Sequence, residues 1–269
     1  MLRDSVTIKH AATRLANGLR LHYTRAGDAA GIPLIMLHGY SDSAFSFSEL
    51  LPLLAPSATL YALDQRGHGD SDRPADNYTM PVFAADVIGF MDAMQLSQAI
   101  LVGHSMGSFV ALETALRAPN RVAGLALLGS AADPRRLNGA AELQQAVDEL
   151  RDPVPPDFVE EFQTSTAFQP LDDAFLAQVI QESLKLPARV WQAALRGLLS
   201  ADYRERLALI SAPTLLLWGE QDSIFFRSEQ AALLAGITGS RLQIYPDTGH
   251  AIHWERPEQV AQELRDFIK

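Results

Sequence analysis

The chain has 269 residues, of which 48% are hydrophobic and 20% charged, a composition typical of a globular protein with a large buried core. Acidic residues outnumber basic residues 32 to 22, which argues against nucleic acid or an anionic membrane surface as partner and favours a neutral or apolar small molecule. The absence of cysteine excludes disulfides, thiol nucleophiles and cysteine-bearing zinc sites.

The beginning of the chain shows no targeting signal. Residues 1–5 lead directly into alternating residues, without the apolar run and cleavage site of a signal peptide. No apolar stretch approaches the roughly 20 residues that a membrane-spanning helix needs. We therefore expect a cytoplasmic protein, monomeric or homodimeric, without membrane association.

Eight strands are predicted. Segments 6–10 and 19–24 flank the turn signal Ala16-Asn17-Gly18, which favours an antiparallel hairpin. The later segments are apolar runs that alternate with helical patterns, which predicts a mostly parallel sheet with helices on both faces. These later strands are predicted at 33–37, 59–63, 99–102, 122–128, 214–218 and 242–245.

The helical segments divide the chain into a core and an insertion. Between residues 133 and 206 the strand pattern stops, and a helical pattern is punctuated by Pro153, Pro155, Pro156, Pro170 and Pro187. We predict an α/β core formed by 1–132 and 207–269, and an all-helical insertion of about four helices at 133–206, after the sixth strand. The core helices are predicted at 46–54, 79–94, 106–117, 228–235 and 257–268.

The pentapeptide Gly103-His104-Ser105-Met106-Gly107 matches the pattern Gly-x-Ser-x-Gly, with a predicted strand before it and a helix after it. Such a turn exposes the serine hydroxyl at the carboxyl end of the strand, and the helix N-terminus favours a developing oxyanion. Ser105 is therefore the candidate nucleophile, and the Met106 amide a candidate oxyanion donor. The alternative interpretation of the pentapeptide alone is an ordinary helix start.

A serine nucleophile needs a base, and position selects among the seven histidines. His10 and His22 fall in the hairpin, away from the crevice at the carboxyl ends of the parallel strands. His104 adjoins the serine on a tight turn where neighbouring side chains diverge, so we expect it to pack. His250 follows the last predicted strand and is the candidate base. A metal pair with His253 is the weaker alternative because no third ligand has suitable spacing, so no metal is predicted.

The base needs a carboxylate that orients it. Asp222 lies in the loop after the predicted strand 214–218 and is the preferred residue over Glu220 in the same loop. Asp133 is the main rival because it also follows a strand at the same edge of the sheet. Asp247 is predicted to be a turn residue.

Two further loops follow buried strands and are given predicted roles. His38-Gly39-Tyr40 follows the third strand. The Tyr40 amide is the candidate second oxyanion donor, and His38 is expected to brace the loop. Segment 64–69, Asp-Gln-Arg-Gly-His-Gly, is predicted to form a hydrogen-bonded bend. A phosphate cradle is the weaker alternative there, because the glycine spacing fits neither nucleotide motif.

These motifs together resemble the α/β-hydrolase family over nearly the whole chain. They comprise His38-Gly39, segment 64–71, the turn at Ser105, segment 219–222 and Gly249-His250, in the family's order of serine, acid and histidine. The resemblance implies a helical cap at 133–206 and no cofactor. A serine at position 105 excludes the dehalogenases and epoxide hydrolases of the family, which have aspartate there.

Within that family, the sequence is most similar to carboxylesterases and lactonases, which implies a small, neutral or apolar ester or lactone and water as substrates. Carbon-carbon bond hydrolases are an alternative, although they usually have Asn before the serine and Trp after the histidine, where this chain has His104 and Ala251. Perhydrolases, cofactor-free oxygenases and hormone receptors of the same fold are more distant alternatives.

The insertion is expected to shape the substrate pocket, because motifs of this family do not encode specificity. Helical spacing assigns most aromatic residues of the insertion to its own core. The candidate substrate contacts are Phe45, Phe47, Phe158, Phe162 and Trp191.

Overall fold

Eight strands form one sheet in the structure, a computed structural model that describes residues 6–269. They are β1 (Ile8–Arg14), β2 (Arg20–Ala26), β3 (Leu34–Leu37), β4 (Leu60–Leu63), β5 (Ala99–His104), β6 (Val122–Leu128), β7 (Thr214–Gly219) and β8 (Arg241–Tyr245). Their order is β1-β2-β4-β3-β5-β6-β7-β8. β2 is antiparallel to β1 and to β4, and all other neighbours are parallel. The predicted α/β fold with a mostly parallel eight-stranded sheet is confirmed.

The central strands are apolar throughout because helices cover both faces of the sheet. In β3, Ile35 and Leu37 belong to one hydrophobic cluster, and Leu34 and Met36 belong to a second cluster on the opposite face. The edge strand β1 is largely exposed and polar. Successive side chains of a strand therefore pack on opposite faces of the sheet.

Ten helices are seen in the described chain. They are α1 (Leu50–Leu54), α2 (Met80–Ala93), α3 (Met106–Arg117), α4 (Ala140–Glu149), α5 (Pro156–Thr164), α6 (Asp173–Leu184), α7 (Ala188–Leu199), α8 (Arg227–Gly236), α9 (Ile252–Glu255) and α10 (Pro257–Phe267). The four helices α4 to α7, called the inserted helices below, lie between β6 and β7. Within them α4 packs against α7 and α5 against α6.

Two local predictions were wrong. The single helix predicted at 46–54 is divided into a 3-10 turn at Ala44–Phe47, which Ser43 caps by accepting a hydrogen bond from the Phe45 amide, and the short helix α1. The hairpin bounds also differ: the first strand is Ile8–Arg14 instead of 6–10 and the second is Arg20–Ala26 instead of 19–24, because pairing runs from Ile8 opposite Ala26 to Arg14 opposite Arg20. Helix α9 was not predicted.

None of the helices in residues 6–269 combines the length and the apolar character needed to cross a bilayer. The predicted absence of a signal peptide concerns residues 1–5, which lie outside the described part of the chain.

Candidate active site

Ser105 occupies a strained turn between β5 and α3. Its backbone has φ 49° and ψ −118°, a conformation that L-residues rarely adopt and that concentrates at functional sites. The flanking glycines leave no space for a side chain: a Cβ on Gly103 would lie 2.4 Å from the Gly107 carbonyl oxygen, and one on Gly107 would lie 2.0 Å from the Leu37 carbonyl oxygen. The close approach of β5 to the start of α3 therefore requires Gly103, and the packing of the turn against the end of β3 requires Gly107.

His250 and Asp222 form a buried pair. His250 Nδ1 lies 2.9 Å from Asp222 Oδ2, and Asp222 Oδ1 accepts hydrogen bonds from the amides of Ile224 and Phe225 at 2.8 and 3.0 Å. The Asp222 carboxylate accepts, so Nδ1 donates and Nε2 of a neutral ring is left as an acceptor. Nε2 is buried and has no hydrogen-bond partner in the described chain, so it is available to take a proton.

Ser105 and His250 line the same cavity, which has a volume of about 190 Å³. Part of its wall is apolar, and these apolar side chains belong to the hydrophobic cluster that also contains the cores of the inserted helices. They are Leu137, Leu143, Phe162, Leu195, Leu198 and Ile224. The polar wall includes Asp42, His104, Asn138, Gln163, Ser165 and Thr166. The cavity thus combines a reactive pair with an apolar compartment, which is typical of small-molecule sites.

Met106 and Tyr40 carry the two candidate oxyanion amides. Met106 is the first residue of α3, and Tyr40 lines the cavity at the end of β3. Neither amide donates a hydrogen bond to another residue within 6–269. Both remain candidate oxyanion donors.

His38 holds the loop that carries Tyr40. Its Nε2 accepts a hydrogen bond from the Gln65 amide at 3.0 Å, so its Nδ1 carries the proton and donates to the Gly39 carbonyl oxygen at 2.8 Å. Burial lowers the pKa of His38 to about 4, which keeps the ring neutral near pH 7. The ring lies against the loop, as expected for a bracing residue.

The three other candidate acids have different surroundings. Asp133 forms ion pairs with Arg135, at 2.8 Å, and with Arg204. Asp247 has φ 49° in a turn, where its carbonyl oxygen accepts hydrogen bonds from two side chains. Glu220 is exposed. Of the four predicted acids, Asp222 alone contacts His250.

Segment 64–69 forms a hydrogen-bonded bend. The Asp64 carboxylate accepts from the amides of Ala44 at 2.7 Å and Asp70 at 2.8 Å, and Arg66 forms a bidentate pair with Asp86 at 2.6 and 2.9 Å. The Asp64 carboxylate and the Arg66 guanidinium are thus engaged within the protein, which favours a structural role for the segment over a phosphate cradle.

His253 Nε2 lies 2.9 Å from Ser46 Oγ, and His253 does not belong to the group of potential metal ligands found among the described residues. Among the described residues, one group of three metal-ligating side chains comes together, and it consists of His22, Asp64 and Asp70. Asp64 is already engaged by two amides and by His22 Nδ1 at 2.7 Å. This group lies outside the cavity lined by Ser105.

The predicted substrate contacts are mostly absent from the cavity wall. Phe162 lines it. Phe47 and Trp191 are fully buried in hydrophobic clusters, Phe158 packs on Trp191 and Phe45 packs on Phe175, each with ring centroids 5.5 Å apart. Large aromatic side chains bury the most area in a core, which is why they fill it instead of the cavity.

Most of the residues that line the cavity were not predicted from the sequence. Leu137 and Asn138 follow β6, Ile224 lies beside Asp222, and Asp42 and Gln163 come from a loop and from α5. The proximity of Ile224 to the predicted acid was a usable signal. The other residues reach the cavity through tertiary packing that no local pattern reveals.

Comparisons with known proteins agree with this architecture. Residues 32–257 match the model of the alpha/beta hydrolase fold family. The chain is 28% identical to the hydrolase YugF of Bacillus subtilis, with 94% of this chain and 96% of that protein covered. It is 29% identical to a 2-hydroxymuconate semialdehyde hydrolase of Pseudomonas sp. strain CF600, with 94% and 92% covered.

A solved structure is also similar. The thermophilic esterase from Thermogutta terrifontis superposes with a TM-score of 0.84 at 25% identity, and 96% of this chain and 97% of that chain are covered. Together with the family match over residues 32–257, this similarity extends across the sheet, the inserted helices and the loops that carry Ser105 and His250. The chain therefore belongs to the α/β-hydrolase family.

Proposed function

We propose that this protein is a serine hydrolase that cleaves a small, neutral or apolar carboxylic ester or lactone through an acyl-serine intermediate. The observation that carries the proposal is the buried His250, whose Nδ1 is bonded to Asp222 and whose Nε2 has no partner among residues 6–269, in a cavity that it shares with Ser105. This is the arrangement expected of a base poised beside a nucleophile.

In the proposed reaction, Ser105 Oγ attacks the ester carbonyl carbon while His250 Nε2 takes the hydroxyl proton. The amides of Tyr40 and Met106 stabilise the negative charge on the carbonyl oxygen. His250 then returns the proton to the leaving alcohol oxygen as the carbon-oxygen bond breaks. A water molecule repeats the sequence on the acyl-serine and releases the acid, which regenerates Ser105.

The insertion acts as a cap in this proposal. Leu143, Phe162, Leu195 and Leu198 from α4, α5 and α7 line the cavity, so the inserted helices supply much of the apolar wall. We propose that they determine the size of the acyl or alcohol group. The described part of the chain contributes no lysine or arginine to the cavity wall, which favours an uncharged substrate.

Carbon-carbon bond hydrolysis is the second candidate because one relative is named a 2-hydroxymuconate semialdehyde hydrolase. A muconate semialdehyde carries a carboxylate, which requires compensation when buried. The cavity wall in residues 6–269 has no basic side chain other than its histidines and does contain Asp42. The charge of the wall therefore favours an ester over an anionic diketone.

The test compares Ser105→Ala with wild-type enzyme on short-chain p-nitrophenyl esters and aliphatic lactones. Loss of a nucleophile from a catalytic triad typically lowers kcat by about 10⁴ to 10⁶. Ser228→Ala, an exposed serine on α8, is the matched control and retains wild-type turnover. Near-normal ester hydrolysis by folded Ser105→Ala protein contradicts the proposal, and so does the failure of wild-type enzyme to cleave any ester or lactone.

A further inference from the structure

A second carboxylate lies buried in the cavity wall. Asp42 is 4% exposed and follows Tyr40 in the loop after β3. Its Oδ1 accepts a hydrogen bond from Gln163 Nε2 at 3.1 Å, and its Oδ2 accepts one from Ser46 Oγ at 3.3 Å. No lysine or arginine within residues 6–269 pairs with it. A buried carboxyl group without a cation is costly, and such groups concentrate at functional sites.

An acceptor without a hydrogen-bond partner faces this carboxyl group. His104 Nε2 lies 3.3 Å from the His250 carbonyl oxygen, which can only accept, so the proton of the neutral ring is on Nε2 and Nδ1 is an acceptor. His104 is 2% exposed, and burial is the main cause of a pKa well below the usual value for histidine. Nδ1 has no hydrogen-bond partner in the described chain and lies 3.9 Å from Asp42 Oδ2.

Both atoms lie beside Gly39. A Cβ on this glycine would lie 2.9 Å from His104 Nδ1 and 3.0 Å from Asp42 Oδ2. Gly39, Asp42, His104 and Gln163 all line the cavity that contains Ser105. The two acceptors are therefore next to the proposed oxyanion loop, where a substituent close to the scissile carbonyl would meet them.

We propose that Asp42 and His104, with Gln163 as a positioning residue, form a polar subsite that binds a free hydroxyl group of the substrate. The inference rests on the proposed function and narrows it to hydroxylated esters or lactones. A hydroxyl group both donates and accepts, so it donates to an ionised Asp42, or donates to His104 Nδ1 while it accepts from a protonated Asp42. A hydroxyl group thus bridges the two residues when Asp42 is protonated and pairs with Asp42 alone when it is ionised.

Charged substituents fit this wall less well. A carboxylate would meet the Asp42 carboxyl group without any cation to offset the repulsion. An ammonium group would lose its hydration in a cavity whose remaining wall is largely apolar, including Leu137, Phe162 and Ile224, and transfer of a charge is far more costly than transfer of a hydroxyl group.

The test measures kcat/KM of wild-type enzyme for matched esters. Ethyl 3-hydroxybutyrate and 2-hydroxyethyl butyrate are compared with ethyl butyrate and propyl butyrate, and with ethyl 3-aminobutyrate and monoethyl succinate. Because hydrogen bonds to a charged group contribute about 1.5 to 3 kcal/mol, we expect at least one hydroxylated ester to exceed its unsubstituted partner on the order of 10- to 100-fold. Equal kcat/KM within each pair, or preference for the amino or succinyl ester, overturns the inference.

Variants identify the subsite as the source of this preference. In Asp42→Asn and in the similarly shaped Gln163→Met, the ratio of kcat/KM for hydroxylated over unsubstituted ester falls toward one. Asp157→Asn, which removes an exposed charge from the same helix as Gln163, retains the wild-type ratio. If Asp42 and Gln163 serve only the fold, thermal stability falls while the ratio persists, which overturns the inference.

Failure of the hydroxyl subsite can be distinguished from failure of the proposed function. If wild-type enzyme cleaves ethyl butyrate in a Ser105-dependent manner but shows no hydroxyl preference, the subsite is wrong and the serine hydrolase proposal stands. If no ester is cleaved, the proposed function itself fails. Should Asp42→Asn not fold, the wild-type ratios and Gln163→Met decide the question.

Discussion

Two buried histidine–aspartate pairs adjoin the cavity at Ser105, and they differ in the position of one proton. His250 Nδ1 donates to Asp222 across 2.9 Å, whereas His104 Nδ1 is an acceptor that stands 3.9 Å from Asp42. His104 has the opposite tautomer because its Nε2 donates a hydrogen bond to the His250 carbonyl oxygen. The same two residue types thus produce a closed pair with a free Nε2 and an open pair with a gap between two acceptors.

The difference shows why residue type alone does not define a catalytic pair. Asp222 has two amide donors on Oδ1 and a histidine donor on Oδ2, so its charge is stabilised by hydrogen bonds. Asp42 has two weaker neutral donors and no cation, and burial raises its pKa to about 7. The first carboxylate suits the stabilisation of an imidazolium, and the second suits recognition of a neutral hydroxyl group.

The largest expected effect concerns the closed pair. Asp222→Asn is expected to lower kcat on a p-nitrophenyl ester by about 10⁴, as loss of the orienting aspartate does in serine proteases, with little change in folded content by circular dichroism. Asp133→Asn is the matched control because Asp133 is paired with arginines and not with His250. The opposite ranking of the two variants would assign the orienting role to Asp133.

The open pair is expected to affect stability through pH. The pKa of Asp42 is about 7 in the folded protein, against 3.8 ordinarily, so between these values the folded state keeps a proton that the unfolded state releases. Retention of this proton stabilises the folded state at low pH, and the stabilisation is lost as pH rises from about 4 to 7. The free energy of unfolding of wild type relative to Asp42→Asn falls by up to roughly 4 kcal/mol over that interval.

Urea denaturation of both proteins at several pH values measures this difference, and the paired comparison cancels the titration of other groups. Above pH 7 the difference is expected to be constant. A difference that is flat from pH 4 to 8, or that increases with pH, would show that Asp42 is ionised in the folded protein like an ordinary aspartate.

The glycine beside His250 gives a smaller and more local test. A Cβ on Gly129 would lie 2.9 Å from His250 Nδ1, so Gly129→Ala should displace the ring, and displacement of about 1 Å costs about 10²-fold in rate. Gly18→Ala is the control: Gly18 also has a positive φ, at 88°, but its Cβ would meet nothing within 4 Å. Comparable loss of kcat in the two variants would attribute the effect to backbone strain alone.

The sheet and the loops at its carboxyl edge could be predicted because their constraints are local. Buried strands appear as apolar runs, and the turn at Ser105 requires glycines at 103 and 107 that the close packing of the backbone explains. The eight strands and helix α3 were therefore predicted correctly in type and order. The pairing of His250 with Asp222 was predicted from the order of strands and from the family resemblance.

The cavity wall could not be predicted in the same way. Trp191, Leu195 and Leu198 all lie on the amphipathic helix α7, but Trp191 packs inward and the two leucines line the cavity. Which side of a helix faces a cavity depends on how α4 to α7 pack together. The tautomer of His104 depends on a carbonyl oxygen 146 residues away, so its role as an acceptor was invisible in the sequence.

In the proposed mechanism Ser105 carries the acyl group, and covalent labelling tests this role most directly. Wild-type enzyme is incubated with diethyl p-nitrophenyl phosphate, and the modified residue is identified by peptide mass spectrometry. We expect one diethylphosphoryl group on Ser105, with parallel loss of esterase activity, and little labelling of His250→Ala because its serine lacks a base. Inactivation with the label on another residue, or full activity after labelling of Ser105, would contradict the assignment of Ser105 as the nucleophile.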